Sequence, residues 1–258
     1  FNHFCNNGPF QTIKNWFEKI KSSYVDVFTV ETKSYYEALK KTSVFKNRIE
    51  YLPNGVSLLD IDLTELDTLP KENIIVTVGR LGTYEKNNSL LLNAIRNLPI
   101  ELVKNWEFLL IGPSTQEFSK EVALFKEKNP AIANCINMTG EINNRNTLYS
   151  YLRRAKIICM TSLSESTCIS TLEGMYFGTY PIITNYSDFT LDTTNNNKVG
   201  CIVENKNINA LVSSLKHIMS DDNLYCKGLE SQFYVRSVFD YGVLTKSLDS
   251  ILRRYIKG

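Results

Sequence analysis

The chain has 258 residues, of which 43% are hydrophobic and 22% charged, enough to bury a substantial core in one large or two small domains and too apolar for a disordered chain. Its 29 basic and 27 acidic residues leave a net charge of +2 without a long basic run, which argues against a nucleic-acid surface but leaves room for local phosphate sites. The six cysteines show no Cys-x-x-Cys or other metal-ligand spacing, and no apolar segment approaches the length of a membrane span, so reduced thiols and a cytoplasmic protein are expected.

From the amino end, Phe10, Ile13, Phe17, Ile20 and Tyr24 fall on one face of a predicted helix, with Lys14, Glu18, Lys19 and Lys21 elsewhere on it. Two readings stay open: a helix that covers a core, or one that rests on the inner membrane face through its aromatic stripe. Val25 to Val30 read as a strand, Thr32 to Lys41 as a helix and Arg48 to Leu52 as a second strand, ending at the turn signal Pro53-Asn54-Gly55. Residues Ser57 to Asn73 look like a connection into a second domain.

From Ile74 the pattern changes to alternating strands and helices. Candidate strands are Ile74 to Val78, Phe108 to Ile111, Ile136 to Met138, Ile157 to Met160, Pro181 to Thr184 and Cys201 to Val203. Candidate helices are Ser89 to Leu98, Gln116 to Lys128, Asn146 to Arg154, Ile169 to Phe177 and Ile208 to Ser220. Continuous apolar strands separated by helices predict a doubly wound α/β domain with a buried parallel sheet, whose ligands bind outside the carboxyl ends of the strands. A last helix, Tyr241 to Tyr255, carries Leu244, Leu248, Ile251, Leu252 and Tyr255 on one face and Arg253, Arg254 and Lys257 near its carboxyl end.

The chemistry concentrates between Thr161 and Gly178. Here the apolar run Ile157 to Met160 leads through a Ser/Thr-rich loop into a helix marked by Ile169, Leu172, Met175 and Tyr176. The free N–H groups of such a helix start favour an anion such as phosphate. Glu165 in the loop and Glu173 one turn into the helix would repel a phosphate, so each is expected to accept hydrogen bonds from neutral hydroxyls. A nucleotide-sugar meets both demands.

Glu165-x7-Glu173, followed by Gly174-Met-Tyr-Phe-Gly178 and Pro181-Ile-Ile-Thr184, resembles the Glu-x7-Glu signature of retaining glycosyltransferases of family 4, which have the GT-B fold. Leu52-Pro-Asn-Gly-Val56, Val78-Gly-Arg-Leu81 with Lys86 downstream, Leu110-Ile-Gly-Pro113, Thr139-Gly140 and Val199-Gly-Cys-Ile-Val203 are similar to that family's landmarks and come in its order. The fold class implied is α/β: a GT-B-type, Rossmann-like doubly wound parallel sheet with a partial second α/β domain. Residues 1–55 would be the remnant of the amino-terminal, acceptor-side domain, 56–236 the donor domain, and 237–258 a helix crossing back to the first domain. A start at Phe1 fits a piece of a longer chain. His3 lies about where the family often carries an active-site histidine, and an incidental residue near a terminus is the other reading.

The resemblance also implies roles. Arg80 and Lys86, in the loop after the first main strand, would stabilise the diphosphate leaving group, together with Gly79, without a metal or other cofactor. Gly112 would let the backbone pass close to the ligand. Glu141 and Ile142 belong to the segment that meets the base, with Ile142 the expected contact. Ser166, Thr167, Cys168 and Ile169 would offer N–H groups to the distal phosphate and sugar, Glu165 would orient the sugar hydroxyls, and Glu173 would chelate the ribose diol.

Two departures stand out. Asn87 follows Lys86 where Gly is usual, and Thr167-Cys168 replaces Phe-Gly, which would set a Cβ and a sulfur beside the phosphates. At a helix start, Cys168 is expected to be a reactive thiolate, and a buried core thiol like Cys159 is the other reading.

The expected partners are a nucleotide-sugar donor, such as a UDP-sugar, and a carbohydrate or glycan-lipid acceptor of polysaccharide biosynthesis. No nucleic acid is expected, and peripheral contact with the inner membrane face remains open. The alternative is a non-catalytic nucleotide-sugar-binding module or adaptor subunit. A dinucleotide oxidoreductase needs Gly-x-Gly-x-x-Gly after its first strand, which Val78-Gly-Arg-Leu-Gly-Thr83 lacks, and no P-loop motif exists.

Overall fold

The computed structural model describes residues 24–42, 48–57 and 70–256. His3, the predicted amino-terminal helix up to Ser23, and most of the connection between Ser57 and Asn73 lie outside these residues. The described residues fall into two compact units, one joining the segments up to Asn54 to the helix from Tyr241 onward, the other running Gly55–Asp240.

In the smaller unit, β1 (Phe28–Val30) pairs in parallel with β2 (Ile49–Tyr51) around α1 (Lys33–Lys40). Thr32 starts α1 by accepting from the Tyr35 N–H at 3.3 Å, the task for which a short hydroxyl side chain is favoured at a helix start. The carboxyl-terminal helix, α10 (Tyr241–Ile256), donates to Glu50 Oε1 of β2 through Arg254 Nη2 at 2.7 Å and Tyr255 OH at 3.1 Å.

The larger unit contains β3 (Glu72–Val78), β4 (Glu107–Ile111), β5 (Ile136–Gly140), β6 (Ala155–Met160), β7 (Tyr180–Thr184) and β8 (Cys201–Val203), all parallel, in the spatial order β5-β4-β3-β6-β7-β8. This is the doubly wound sheet that the apolar runs predict. Its order reverses between β3 and β6, and the crevice outside that switch point is where such sheets bind ligands. The apolar runs are continuous because both faces are covered. Ile75, Phe108, Leu110, Ile157, Cys159 and Ile182 face α2 (Asn88–Arg96), α4 (Gln116–Lys128) and α8 (Ile208–Met219). Their neighbours Ile74, Val76, Leu109, Ile111, Ile158, Met160 and Ile183 face the opposite layer with α5 (Arg145–Arg154) and the segment around α6 (Ile169–Tyr176).

Among the described residues, three α-helices lie outside the sequence reading: short α3 (Ile100–Val103), short α7 (Phe189–Thr193) and fifteen-residue α9 (Leu224–Val238). The buried line of α9 is Leu224, Gly228, Ser231 and Val235, whereas its large apolar side chains Tyr225, Leu229 and Phe233 are exposed. Small residues let α9 pack closely: a Cβ at Gly228 would fall 2.4 Å from the Gly178 carbonyl oxygen, and Ser231 Oγ donates to the Val199 carbonyl at 2.7 Å. No described helix is long and apolar enough to cross a membrane.

Candidate active site

The loops after β3 and β6 meet at the switch point and are stitched together by their main chains. Leu163 N donates to the Glu85 carbonyl at 2.7 Å, and Thr161 Oγ1 donates to the Asn87 carbonyl at 3.0 Å. Thr184 Oγ1 holds the Ser162 carbonyl at 2.5 Å, and Asn205 Nδ2 the Leu163 carbonyl at 3.2 Å, so the ends of β7 and β8 brace the same loop. On this frame Lys86 Nζ forms an ion pair with Glu165 Oε1, the two side chains being 14% and 16% exposed. Ser162 Oγ donates to the same carboxylate oxygen at 2.8 Å. Lys86 and Glu165 are thus brought into direct contact across 79 residues of chain.

Arg80 has a different partner. Its guanidinium is 69% exposed and bonds Glu85 Oε1 at 2.9 Å on the rim. The two cations expected to act together on a diphosphate are therefore engaged separately, Lys86 within the crevice and Arg80 outside it. The Lys86 side chain crosses Gly79, where an added Cβ would lie 3.2 Å from Lys86 Cε.

Gly112 has φ +130°, and an added Cβ would fall 2.0 Å from the Gly79 carbonyl oxygen. The close approach that requires glycine here is therefore between the ends of β4 and β3, within the protein itself. Asn87 has φ 46° and ψ 41°, the left-handed region in which Gly is unstrained and Asn is tolerated. The departure from Gly at this position thus preserves the backbone turn that precedes α2.

The loop before α6 differs from the sequence expectation. Cys168 does occupy the position just before the helix, with φ −83°, which needs no glycine. Its side chain is 2% exposed and packs in the buried cluster with Phe177 and Tyr186, so the sulfur belongs to the core. Burial pushes its thiol above the usual range, aided by the negative charge of Glu165. The expected reactive thiolate is overturned, because desolvation outweighs the pull of the helix start. Ile169 N already donates to the Thr167 carbonyl at 3.1 Å, so this one of the four expected donors is used within the loop. Ser166 is exposed and Thr167 partly buried.

The second carboxylate heads a network that the sequence did not reveal. Glu173 is 9% exposed, and its Oε1 accepts from Arg145 Nη1 at 2.8 Å and from Tyr149 OH at 3.1 Å. Arg145 Nη1 also donates to Tyr149 OH at 2.7 Å. Burial raises the Glu173 pKa, while the bonds from Tyr149 and Arg145 act against that rise. Arg145 opens α5 immediately after the Asn143-Asn144 loop, and Asn144 caps the helix by accepting from Thr147 N at 3.1 Å. Of the predicted base-side residues, Glu141 is exposed and Ile142 packs partly buried against the layer containing Tyr149. The arrangement offers a shielded ammonium beside a carboxylate at the switch point and a second, largely buried carboxylate on α6, which suits a ligand with an anionic centre flanked by hydroxyl groups.

The family model described as glycosyl transferases group 1 matches residues 63–230. A Campylobacter jejuni protein named GalNAc-alpha-(1->4)-GalNAc-alpha-(1->3)-diNAcBac-PP-undecaprenol alpha-1,4-N-acetyl-D-galactosaminyltransferase is 26% identical over 214 residues, 82% of this chain and 55% of that one. This chain thus spans about half the length of that curated relative. Among solved structures, sucrose-phosphate synthase from Thermosynechococcus elongatus superposes with TM-score 0.71 at 20% identity, over 95% of this chain and 62% of that one. Anabaena HepE, solved in complex with UDP and glucose, gives TM-score 0.67 at 12% identity, over 93% and 67% of the two chains.

Proposed function

The chain belongs to the glycosyl transferases of group 1, and on that premise we propose that it holds the donor of a retaining, metal-independent transfer from a nucleoside diphosphate sugar to a glycan or glycan-lipid acceptor. The observation that carries this reading is the Lys86–Glu165 pair, with Ser162, at the switch point of the sheet. In the transfer, the bond between the anomeric carbon and the diphosphate oxygen breaks, and an acceptor hydroxyl oxygen bonds to that carbon on the face the leaving group departs from. The hydroxyl proton passes to the departing diphosphate. Lys86 would neutralise charge as it builds on the diphosphate, in surroundings where water screens it little. Glu165 would take hydrogen bonds from the sugar hydroxyls, and Glu173 from the ribose diol.

The names of two similar proteins suggest the first ligands to try. The Campylobacter jejuni relative is a transferase of N-acetyl-D-galactosamine by name, and the Anabaena structure holds UDP and glucose. A module that binds the donor without transferring it is the weaker reading, since Lys86 and Glu165 together offer a cation and a carboxylate at the switch point. Thermal melting with UDP, GDP, ADP and their sugars, followed by donor turnover with and without chelator, tests the proposal. Stabilisation by one diphosphate and its sugar, with chelator-resistant turnover that Lys86→Met removes, is expected. No stabilisation by any of them would overturn the donor site, and a strict need for added Mg or Mn would overturn the metal-independent step.

A further inference from the structure

Glu173 combines features that a purely structural ion pair does not need. Both of its protein hydrogen bonds fall on Oε1, and no described group donates to Oε2, which is not among the buried oxygens lacking a partner and so opens to solvent. The two donors are unlike each other. Tyr149 is fully buried with its ring centroid 5.0 Å from that of Phe177, a fixed part of the core. Arg145 is 67% exposed along its side chain and closes over the pair from the solvent side, its guanidinium carbon 6.0 Å from the Tyr149 ring centroid.

We propose that Arg145 is a positioning residue for Glu173: with Tyr149 it holds Oε1, fixing the carboxylate so that Oε2 is presented to the hydroxyls of a bound ribonucleotide. The inference rests on the reading of Glu173 as the ribose carboxylate. A carboxylate chelates a diol by accepting at its oxygens, which it does in its ionised form. Burial works against that form, and the Arg145 and Tyr149 hydrogen bonds restore it. Among the described residues, the titratable groups facing Glu173 are these two, both from α5. On α9, which also packs against α6, Arg236 faces Tyr176, with its guanidinium carbon 4.6 Å from that ring centroid. The charged and titratable residues of β6 and β7, Lys156, Cys159 and Tyr180, are not among the groups acting on Glu173.

Glu173 has a raised pKa, so ribose binding through it is present at higher pH and lost as pH falls through that pKa. Removing Arg145 raises the pKa further and moves the loss toward neutrality.

The test is calorimetric titration of the whole chain with UDP and with 2'-deoxy-UDP, between about pH 5 and pH 8, for wild type, Arg145→Met, Arg145→Lys, Tyr149→Phe and Glu173→Gln. GDP or ADP and its deoxy form replaces UDP if the melting panel selects it. The deoxy ligand cancels titration of the phosphates themselves. Expected is a preference for the ribonucleotide in wild type that Arg145→Met cuts about tenfold near neutrality, with its pH dependence shifted upward, and that Arg145→Lys partly restores. Equal losses for both ligands at every pH would overturn the proposal and leave Arg145 as a general support of the fold. If Glu173→Gln costs both ligands equally and leaves the ribonucleotide preference standing, the ribose reading falls. If Glu173→Gln removes that preference while Arg145→Met leaves the profile unmoved, only the positioning role falls. Arg145 is exposed enough for its variants to fold, and melting curves with the Tyr149→Phe variant check this.

Discussion

Lys86 on the loop after β3 and Glu165 on the loop after β6 form an ion pair across the point where the strand order reverses, with about six-sevenths of each side chain shielded from water. An ammonium held in this way keeps further donors for an incoming diphosphate, because Glu165 engages one of its three. Lys86→Met is therefore expected to weaken UDP binding by about 1.5–3 kcal/mol, as loss of a charge-assisted contact does, while uridine binding changes little. Arg80→Ala should cost under about 1 kcal/mol, since its pair with Glu85 lies in water on the rim. Calorimetry with UDP and uridine separates the two residues. Equal losses from both variants would mean that Arg80 leaves Glu85 to join the ligand.

How much of this was legible depended on where the signal lay. The strands were readable because both faces of the sheet are covered, so Ile157 to Met160 is an unbroken apolar run and Ile74 to Val78 is interrupted only by Thr77. Helix α9 was not, because its contact line is built on Gly228 and Ser231 while Tyr225 and Phe233 face solvent, the reverse of an ordinary amphipathic pattern. Lys86 and Glu165 were found as separate motif positions, and only the fold shows that they touch. Arg145 and Tyr149 lie 28 and 24 residues from Glu173 on a different helix, and no spacing rule links residues brought together by packing of two layers. The buried state of Cys168 was the less favoured of two readings because the dipole of a helix start is visible in sequence, whereas desolvation depends on what packs around it.

Glu165→Gln should separate binding from transfer. Removing a negative charge beside Lys86 lessens repulsion of the diphosphate, so UDP binding is expected to be kept or tightened. Handling of the sugar should suffer, since an amide accepts at one oxygen where the carboxylate has two. Sugar transfer and UDP affinity measured on the same preparation check this. A large drop in UDP affinity with turnover per bound donor unchanged would place Glu165 at the nucleotide instead of the sugar.

Gly112→Ala should destabilise the fold by about 1–3 kcal/mol or more, the range for forced overpacking. The new Cβ would meet the Gly79 carbonyl oxygen at 2.0 Å, and backbone at that distance cannot swing aside as a side chain can. Chemical denaturation measures it. Because Gly79 N also bonds the Ile111 carbonyl at 3.0 Å, the strain should reach the loop that carries Lys86, and UDP affinity should fall in the fraction that remains folded. A variant as stable as the parent would show that the ends of β3 and β4 separate more easily than their packing implies.

Asn87 offers the opposite test, of a strained position already filled well. At φ 46° and ψ 41° it sits in the left-handed region, where a β-branched residue costs about 1–2 kcal/mol. Asn87→Gly should leave stability and UDP binding near those of the parent, and Asn87→Val should lower both. Melting temperatures rank them. If Val is tolerated as well as Gly, the turn before α2 takes another conformation in solution.

The described thiols, at Cys135, Cys159, Cys168, Cys201 and Cys226, are all free, and they differ in exposure. Cys226 is exposed on α9, whereas burial pushes the Cys159 thiol up to about 12 and raises that of Cys168 as well. Since the thiolate is the reacting form, iodoacetamide should modify Cys226 first and reach Cys159 and Cys168 only when the fold opens. Cys168 lies next to α6 and close enough to Glu165 to feel its charge, yet its sulfur belongs to the core. UDP should therefore slow its modification only by stabilising the whole protein, to the same degree that it slows Cys159. Peptide mass mapping over time, with and without UDP, compares the two rates. Fast modification of Cys168 that UDP blocks while Cys159 is unaffected would show that the segment from Glu165 to Cys168 opens locally to solvent, and would bring the sulfur back to the phosphates.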